Sequence, residues 1–238
     1  MSQLPVPGRD TVYVWVGRDA GGRPVPVGPL LRRVGVALLG APAERVVVGH
    51  RPGGAPVVRV ADPPGGERPV GPVALPVSVS RTAGIVVVAA RPRGPVGVDV
   101  ERVRPLPAVA LARRWYAPDE AAHLAGRPAG DRESGFLRLW TAKEAVGKAL
   151  GVGLRAGGLR RPMPEPDDGV LRPVPGLPAV RVGHPRVDGP LVLAVAVVGA
   201  EGGVDVVVEV VQGSGHGVAA VRSASTERTS FPVVVRGS

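Results

Sequence analysis

Residues 136–154, FLRLWTAKEAVGKALGVGL, constrain the fold most, because they read as a single amphipathic helix. Phe136, Leu139, Trp140, Ala142, Val146, Ala149 and Leu150 recur at helical spacing, while Thr141, Glu144 and Lys148 fall on another face. Asp131 and Ser134 are candidate caps before it. Gly151 and Gly153 allow the left-handed backbone that ends a helix. Such a helix needs a layer to bury its apolar face, and the rest of the chain must supply one.

Two residues of this helix carry chemical interest. Glu144 and Lys148 are four apart, so their side chains lie on one face. Lys143 and Lys148 are the only lysines among 30 basic residues, the other 28 being arginine. Lysine offers a tunable point charge that a guanidinium cannot replace in proton transfer. The plainer alternative is a surface Glu–Lys pair that stabilises the helix by about 0.3–0.5 kcal/mol.

Composition narrows the class. A chain of 238 residues can bury a core in one domain or two small ones. Its 35 Gly and 28 Pro call for many loops, and together with arginine in place of lysine they are the bias of a GC-rich genome. The formal charge of +10 favours an anionic partner. A nucleic acid is not expected, since the arginines are scattered and not interleaved with aromatics. With no cysteine, disulfides and thiolate metal sites are excluded. No apolar run is long enough to span a membrane, so the expectation is a soluble cytoplasmic protein with no membrane partner.

In chain order, strands are expected at Thr11–Gly17, Arg45–Val48 and Val57–Val60, with a short helix over Pro29–Leu39 between the first two. His50–Pro56 reads as a turn-rich loop and Asp62–Pro76 as loop. Val77–Val79 begins a strand that breaks at Ser80-Arg81-Thr82 and resumes at Ile85–Ala90. Arg91–Pro95 is a candidate boundary, followed by a strand at Val96–Val103 and helices over Leu106–Tyr116 and Pro118–Ala125. After the central helix, strands are expected at Gly169–Arg172, Ala179–Val182, Leu191–Val198 and Val204–Val211. The remainder is small and polar and reads as a mobile tail, 213–238.

In a strand through Gly97-Val98-Asp99-Val100-Glu101, Val98 and Val100 share one face while Asp99 and Glu101 share the other. Two like charges there repel unless a cation sits between them. Mg²⁺ fits, because it takes one or two protein carboxylates and fills its other positions with phosphate and water. The alternative is a solvated face paired with Arg102 or Arg104. Ser80-Arg81-Thr82 is a phosphate-holding turn or an ordinary polar bend. The four histidines lack metal-ligand spacing, and neither a nucleophile elbow nor a P-loop is present.

Taken together, GVDVE and, about forty residues later, WTAKEAVGKALGVGL resemble the phosphopantetheinyl transferases that activate nonribosomal peptide and polyketide synthases. The family pattern G-(I/V)-D-(I/V/L)-E, then W-(S/T)-x-K-E-(A/S)-x-x-K, is matched by Gly97, Asp99, Glu101, Trp140, Thr141, Lys143, Glu144, Ala145 and Lys148. The resemblance is clear from Val77 to Leu154, fainter to Gln212 and weak before Val77.

The resemblance implies an α+β fold of two similar halves, 1–95 and 96–212, with mostly antiparallel sheets and coenzyme A in the cleft between them. It implies Mg²⁺, or Mn²⁺ in its place, on Asp99, Glu101 and Glu144, with Glu144 and Lys148 catalytic. Coenzyme A contacts carry over to Lys143, Lys148, Ser80, Arg81, Thr82, Gly54 and Pro56, with Arg23 and Arg32 as substitutes for a missing basic segment. The implied acceptor is a serine of an acyl or peptidyl carrier protein, and the implied state is a monomer. The chain departs from the family in reading Gly54-Ala55-Pro56 for Gly-Lys-Pro and Ser80-Arg81-Thr82 for Ser-His-Ser/Thr. A degenerate member that binds carrier or nucleotide with little turnover is the competing reading.

Overall fold

The structure is a computed structural model that describes residues 10–19, 23, 25–61, 74–155, 157–166, 171–200, 203–214 and 217–221. The chain begins with strand β1 (Asp10–Asp19) and helix α1 (Val27–Leu39), which turns Leu30, Leu31 and Val34 inward and ends at Gly40 with φ 64°. Strands β2 (Val46–His50) and β3 (Pro56–Val60) form a hairpin. Its turn uses Gly53 and Gly54 at φ 94° and 86°, where a side chain would be strained. Strands β4 (Ala74–Thr82), β5 (Ile85–Ala90) and β6 (Val96–Arg102) come next. Helices α2 (Ala108–Trp115), α3 (Pro118–Gly126) and α4 (Arg132–Ala149) follow. The chain then returns to strands β7 (Arg172–Val174), β8 (Leu177–Gly183), β9 (Leu191–Val198), β10 (Val204–Ser214) and β11 (Gly217–Val221).

The fold is mixed α+β, and among the described residues the strands pair antiparallel except at one place. A seven-stranded sheet has the order β11-β10-β1-β5-β4-β3-β2, and a four-stranded sheet the order β6-β9-β8-β7. Among the described residues only β1 and β10 run parallel, with Asp10 opposite Val204 and Asp19 opposite Gly213. The segment expected to be mobile thus contributes the end of β10 and β11; residues 215–216 and 222–238 lie outside the described residues.

Burial arranges these elements in layers. Val12, Val14 and Val16 of β1 and Ile85, Val87 and Ala89 of β5 pack against Val96, Val98 and Val100 of β6 and Leu193, Val195 and Val197 of β9. The other face of the seven-stranded sheet holds Trp15, Val86 and Val88 against α1. The other face of β9 presents Val192, Ala194 and Ala196 to α4. Strand β9 is therefore buried on both sides, which explains its unbroken apolar run.

Several boundaries differ from the sequence reading. Ser80-Arg81-Thr82 does not interrupt a strand: β4 runs through it and turns only at Ala83-Gly84 into β5. Ala74–Pro76, read as loop, belong to β4, while 62–73 lie outside the described residues. Helix α4 starts at Arg132 and ends at Ala149, with Gly151 and Gly153 at φ 72° and 59° in the exit. Asp131 occupies its N-cap without a side-chain cap bond, and Ser134 Oγ donates to the Asp131 carbonyl. Because α4 packs on β6 and β9 and also touches α2 and α3, it is buried almost all round, Thr141 and Lys143 included.

Candidate active site

The site forms where β6 meets α4. A Cβ built on Gly97 would lie 1.9 Å from the Ala145 carbonyl oxygen and 2.6 Å from the Ala149 nitrogen. Only glycine permits that approach, so the helix backbone rests directly on the strand. The neighbouring α4 side chains Glu144 and Lys148 are thereby brought to Asp99. Lys148 Nζ donates to Asp99 Oδ1 at 2.7 Å and to the Val98 carbonyl at 3.1 Å.

Asp99 is buried, 6% exposed, and its two oxygens differ. Oδ1 accepts from Lys148 and from Ser80 Oγ, both at 2.7 Å. Oδ2 is buried and has no hydrogen-bond partner among the described residues. Burial pushes the Asp99 carboxyl above its ordinary range, and the Lys148 ammonium only partly opposes this. Glu144, half-buried, is also held up, first by burial and then by the Asp99 charge, with Glu101 adding to it and Lys148 opposing. The mutual influence of Asp99, Glu101 and Glu144 marks an accumulation of negative charge.

Strand β6 is an edge of its sheet, and β4 seals that edge with side chains rather than backbone. The Val98 N–H donates to Ser78 Oγ at 3.0 Å and the Val100 N–H to Ser80 Oγ at 3.2 Å. The two-residue spacing is the same on both strands, as the strand period requires. These contacts satisfy donors that would otherwise be buried unpaired.

Glu101 Oε2 accepts from Arg104 at 2.7 Å, so the alternative pairing raised from the sequence does occur. Among the described residues no three Asp, Glu or His side chains close on a common point as a preformed metal cage. Asp99, Glu101 and Glu144 are expected to share the ion with phosphate and water, so their carboxylates need not form a closed cage by themselves. What fits a hard cation is a bare buried carboxylate oxygen on Asp99, with a second carboxylate on Glu144 whose ionisation is suppressed by burial and by like charge. Such an open, incomplete set suits Mg²⁺, which takes its remaining oxygens from phosphate and water.

The other expected positions do not all join this cluster. Lys143 is 0% exposed. Its ammonium donates to Glu120 Oε2 at 2.7 Å and Oε1 at 3.0 Å and to the Arg161 carbonyl at 2.5 Å, 4.9 Å from the Tyr116 ring centre. The two lysines thus serve opposite sides of α4. Burial lowers the Lys143 ammonium below its ordinary value, with Glu120 opposing. Arg81 is exposed and, by strand alternation, faces away from Ser80 and Thr82, so the three do not form one anion cradle. Gly54 lies in the β2–β3 turn and Pro56 opens β3. Arg32 on α1 and Arg23 are exposed, and the Arg23 N–H donates to Asp19 Oδ2 at 2.9 Å.

Two partners went unread in the sequence. Ser78 alternates with Ser80 in Ser78-Val79-Ser80, the one signal that both face β6. Glu120, an acid in the first turn of α3, also accepts from the Met163 N–H at 3.0 Å and the Ala117 N–H at 3.3 Å.

Comparison with known proteins covers this region. Residues 95–170 match the sequence model of the 4'-phosphopantetheinyl transferase superfamily. The chain is 30% identical over 128 residues to the 4'-phosphopantetheinyl transferase psf-1 of Bacillus pumilus, covering 54% of this chain and 49% of that protein. It is 35% identical over 89 residues to a putative 4'-phosphopantetheinyl transferase of Synechocystis, covering 37% of this chain and 36% of that protein. The matched part thus spans half or less of each curated relative. No helix among the described residues is long and apolar enough to cross a membrane. The matched segment runs from β6 through α4, the two elements that build the site, and over that segment the chain is similar to the 4'-phosphopantetheinyl transferase superfamily.

Proposed function

We propose that this protein transfers the 4'-phosphopantetheine group of coenzyme A to a serine hydroxyl of an acyl or peptidyl carrier domain. The observation that carries the reading is the buried, unpartnered Asp99 Oδ2 beside Glu144 and Lys148. Asp99 and Glu144, with Glu101 at the rim, would hold Mg²⁺ or Mn²⁺. Bound there, the ion supplies neutralisation of pyrophosphate charge. The serine oxygen forms a bond to the phosphorus that bears the pantetheine, the anhydride bond breaks, and adenosine 3',5'-bisphosphate leaves. Glu144, directly or through water, takes the serine proton. Lys148 stands by to steady charge on the leaving phosphate. The similarity to proteins named as 4'-phosphopantetheinyl transferases adds independent support.

A second reading has its own observations. Lys143 is sealed against Glu120, the Ser80 hydroxyl is committed to Asp99, and Ala55 stands in the β2–β3 turn. Fewer cations then remain for the coenzyme A phosphates, as in a binder with little turnover. Incubating the protein with Mg²⁺, coenzyme A and apo carrier domains, read by intact mass, separates the two: modified carrier supports transfer, and tight carrier binding without modification supports the second.

A further inference from the structure

We infer that Ser80 is a positioning residue whose hydroxyl fixes which oxygen of Asp99 is offered to a cation. The inference rests on the reading of Asp99 as a metal ligand. A serine hydroxyl has one proton to give and lone pairs to receive. At Ser80 a lone pair is taken by the Val100 N–H at 3.2 Å, and the proton points to Asp99 Oδ1 at 2.7 Å. Lys148 donates to that same oxygen. Both side-chain donors therefore load Oδ1, and Oδ2 stays bare and buried. Rotating the carboxylate would break two hydrogen bonds at once. Ser80 thereby holds a ligand in one orientation, as partners of metal-binding carboxylates do.

This role differs from contact with a coenzyme A phosphate. A hydroxyl that gives its only proton to Asp99 has none left for an anion. It also differs from sealing the edge of β6. Ser78 supplies the internal comparison, because it receives the Val98 N–H in the same way two residues earlier. Loss of either hydroxyl removes one edge contact; of the two, only loss of Ser80 also removes one of the two side-chain donors that hold Asp99.

The test is Mn²⁺ binding to the full chain, followed by the electron paramagnetic resonance signal of the free ion, with no coenzyme A or carrier present. Ser80→Ala is expected to weaken Mn²⁺ binding about tenfold or more. Ser78→Ala should stay within twofold of the parent, although both lose similar thermal stability. Ser80→Cys, close in size but a poor donor, should follow Ser80→Ala, and it keeps the test decisive should the alanine variant not fold. Equal Mn²⁺ affinity of the Ser80 variants and Ser78→Ala would reduce Ser80 to an edge seal and overturn the inference alone. A parent chain that binds no Mn²⁺, or an Asp99→Asn variant that binds it undiminished, would remove the metal reading and the inference with it.

Discussion

Gly97 on β6 and Ala145 on α4 are so close that a Cβ on the glycine would sit 1.9 Å from the alanine carbonyl oxygen. Backbone, not a flexible side chain, blocks the space, so α4 must move for anything larger to fit. The glycine of the GVDVE motif is thus the seat on which the helix carrying Glu144 and Lys148 rests. Gly97→Ala is expected to destabilise the fold by about 3 kcal/mol and to open the 2.7 Å contact between Lys148 and Asp99. Urea denaturation checks the first, and loss of Mn²⁺ affinity in the folded fraction checks the second. An unaltered denaturation midpoint would show that the helix is not seated there.

Lys143 and Glu120 form a buried pair, the lysine 0% and the glutamate 11% exposed at the side chain. Removing one member of such a pair strands the other's charge, at a cost of about 3–5 kcal/mol. Lys143→Met should lose stability on that scale. Adding Glu120→Gln, which can still accept from the Met163 N–H, should recover part of it. A double-mutant cycle by denaturation measures the coupling. Strictly additive losses would mean that the two side chains do not depend on each other.

Asp99 gives a prediction whose sign follows from its environment. Its folded carboxyl is raised above the ordinary value, chiefly by burial. The folded state therefore holds that proton more readily than the unfolded chain does. The associated stability is complete below the unfolded carboxylate value and is lost as pH rises through the folded value. Above that folded value the ionised group burdens the fold, and Asp99→Asn relieves it. In the absence of metal the variant should melt at or above the parent temperature at pH 8, with the difference shrinking toward pH 4. Saturating Mg²⁺ should raise the melting temperature of the parent but not of the variant. A loss of several degrees in Asp99→Asn at pH 8 alone would contradict this sign.

Much of this arrangement could be read from the residues. Period-two alternation put Asp99 and Glu101 on the face of β6 away from Val98 and Val100, and four-residue spacing put Glu144 and Lys148 on one face of α4. The fate of Lys143 could not be read that way. Helical periodicity reports one apolar face, whereas α4 is packed on opposite sides, and the partner that neutralises Lys143 comes from α3, 23 residues earlier. Ser80-Arg81-Thr82 looked like a break because hydroxyls and a cation disfavour a buried strand. Here the hydroxyl of Ser80 replaces a backbone partner for the edge of β6, so a polar residue is what the strand needs. The parallel pairing of β1 with β10 joins residues about 194 apart and leaves no local trace in either segment.

The most direct test of the account is carrier modification by the parent, Asp99→Asn and Glu144→Ala, each with coenzyme A and either Mg²⁺ or a chelator, followed by intact mass. The account predicts that apo carrier gains one phosphopantetheine only with the parent and only when Mg²⁺ is present, while both variants remain folded. Undiminished modification by either variant, or by the parent with the metal removed, would contradict it.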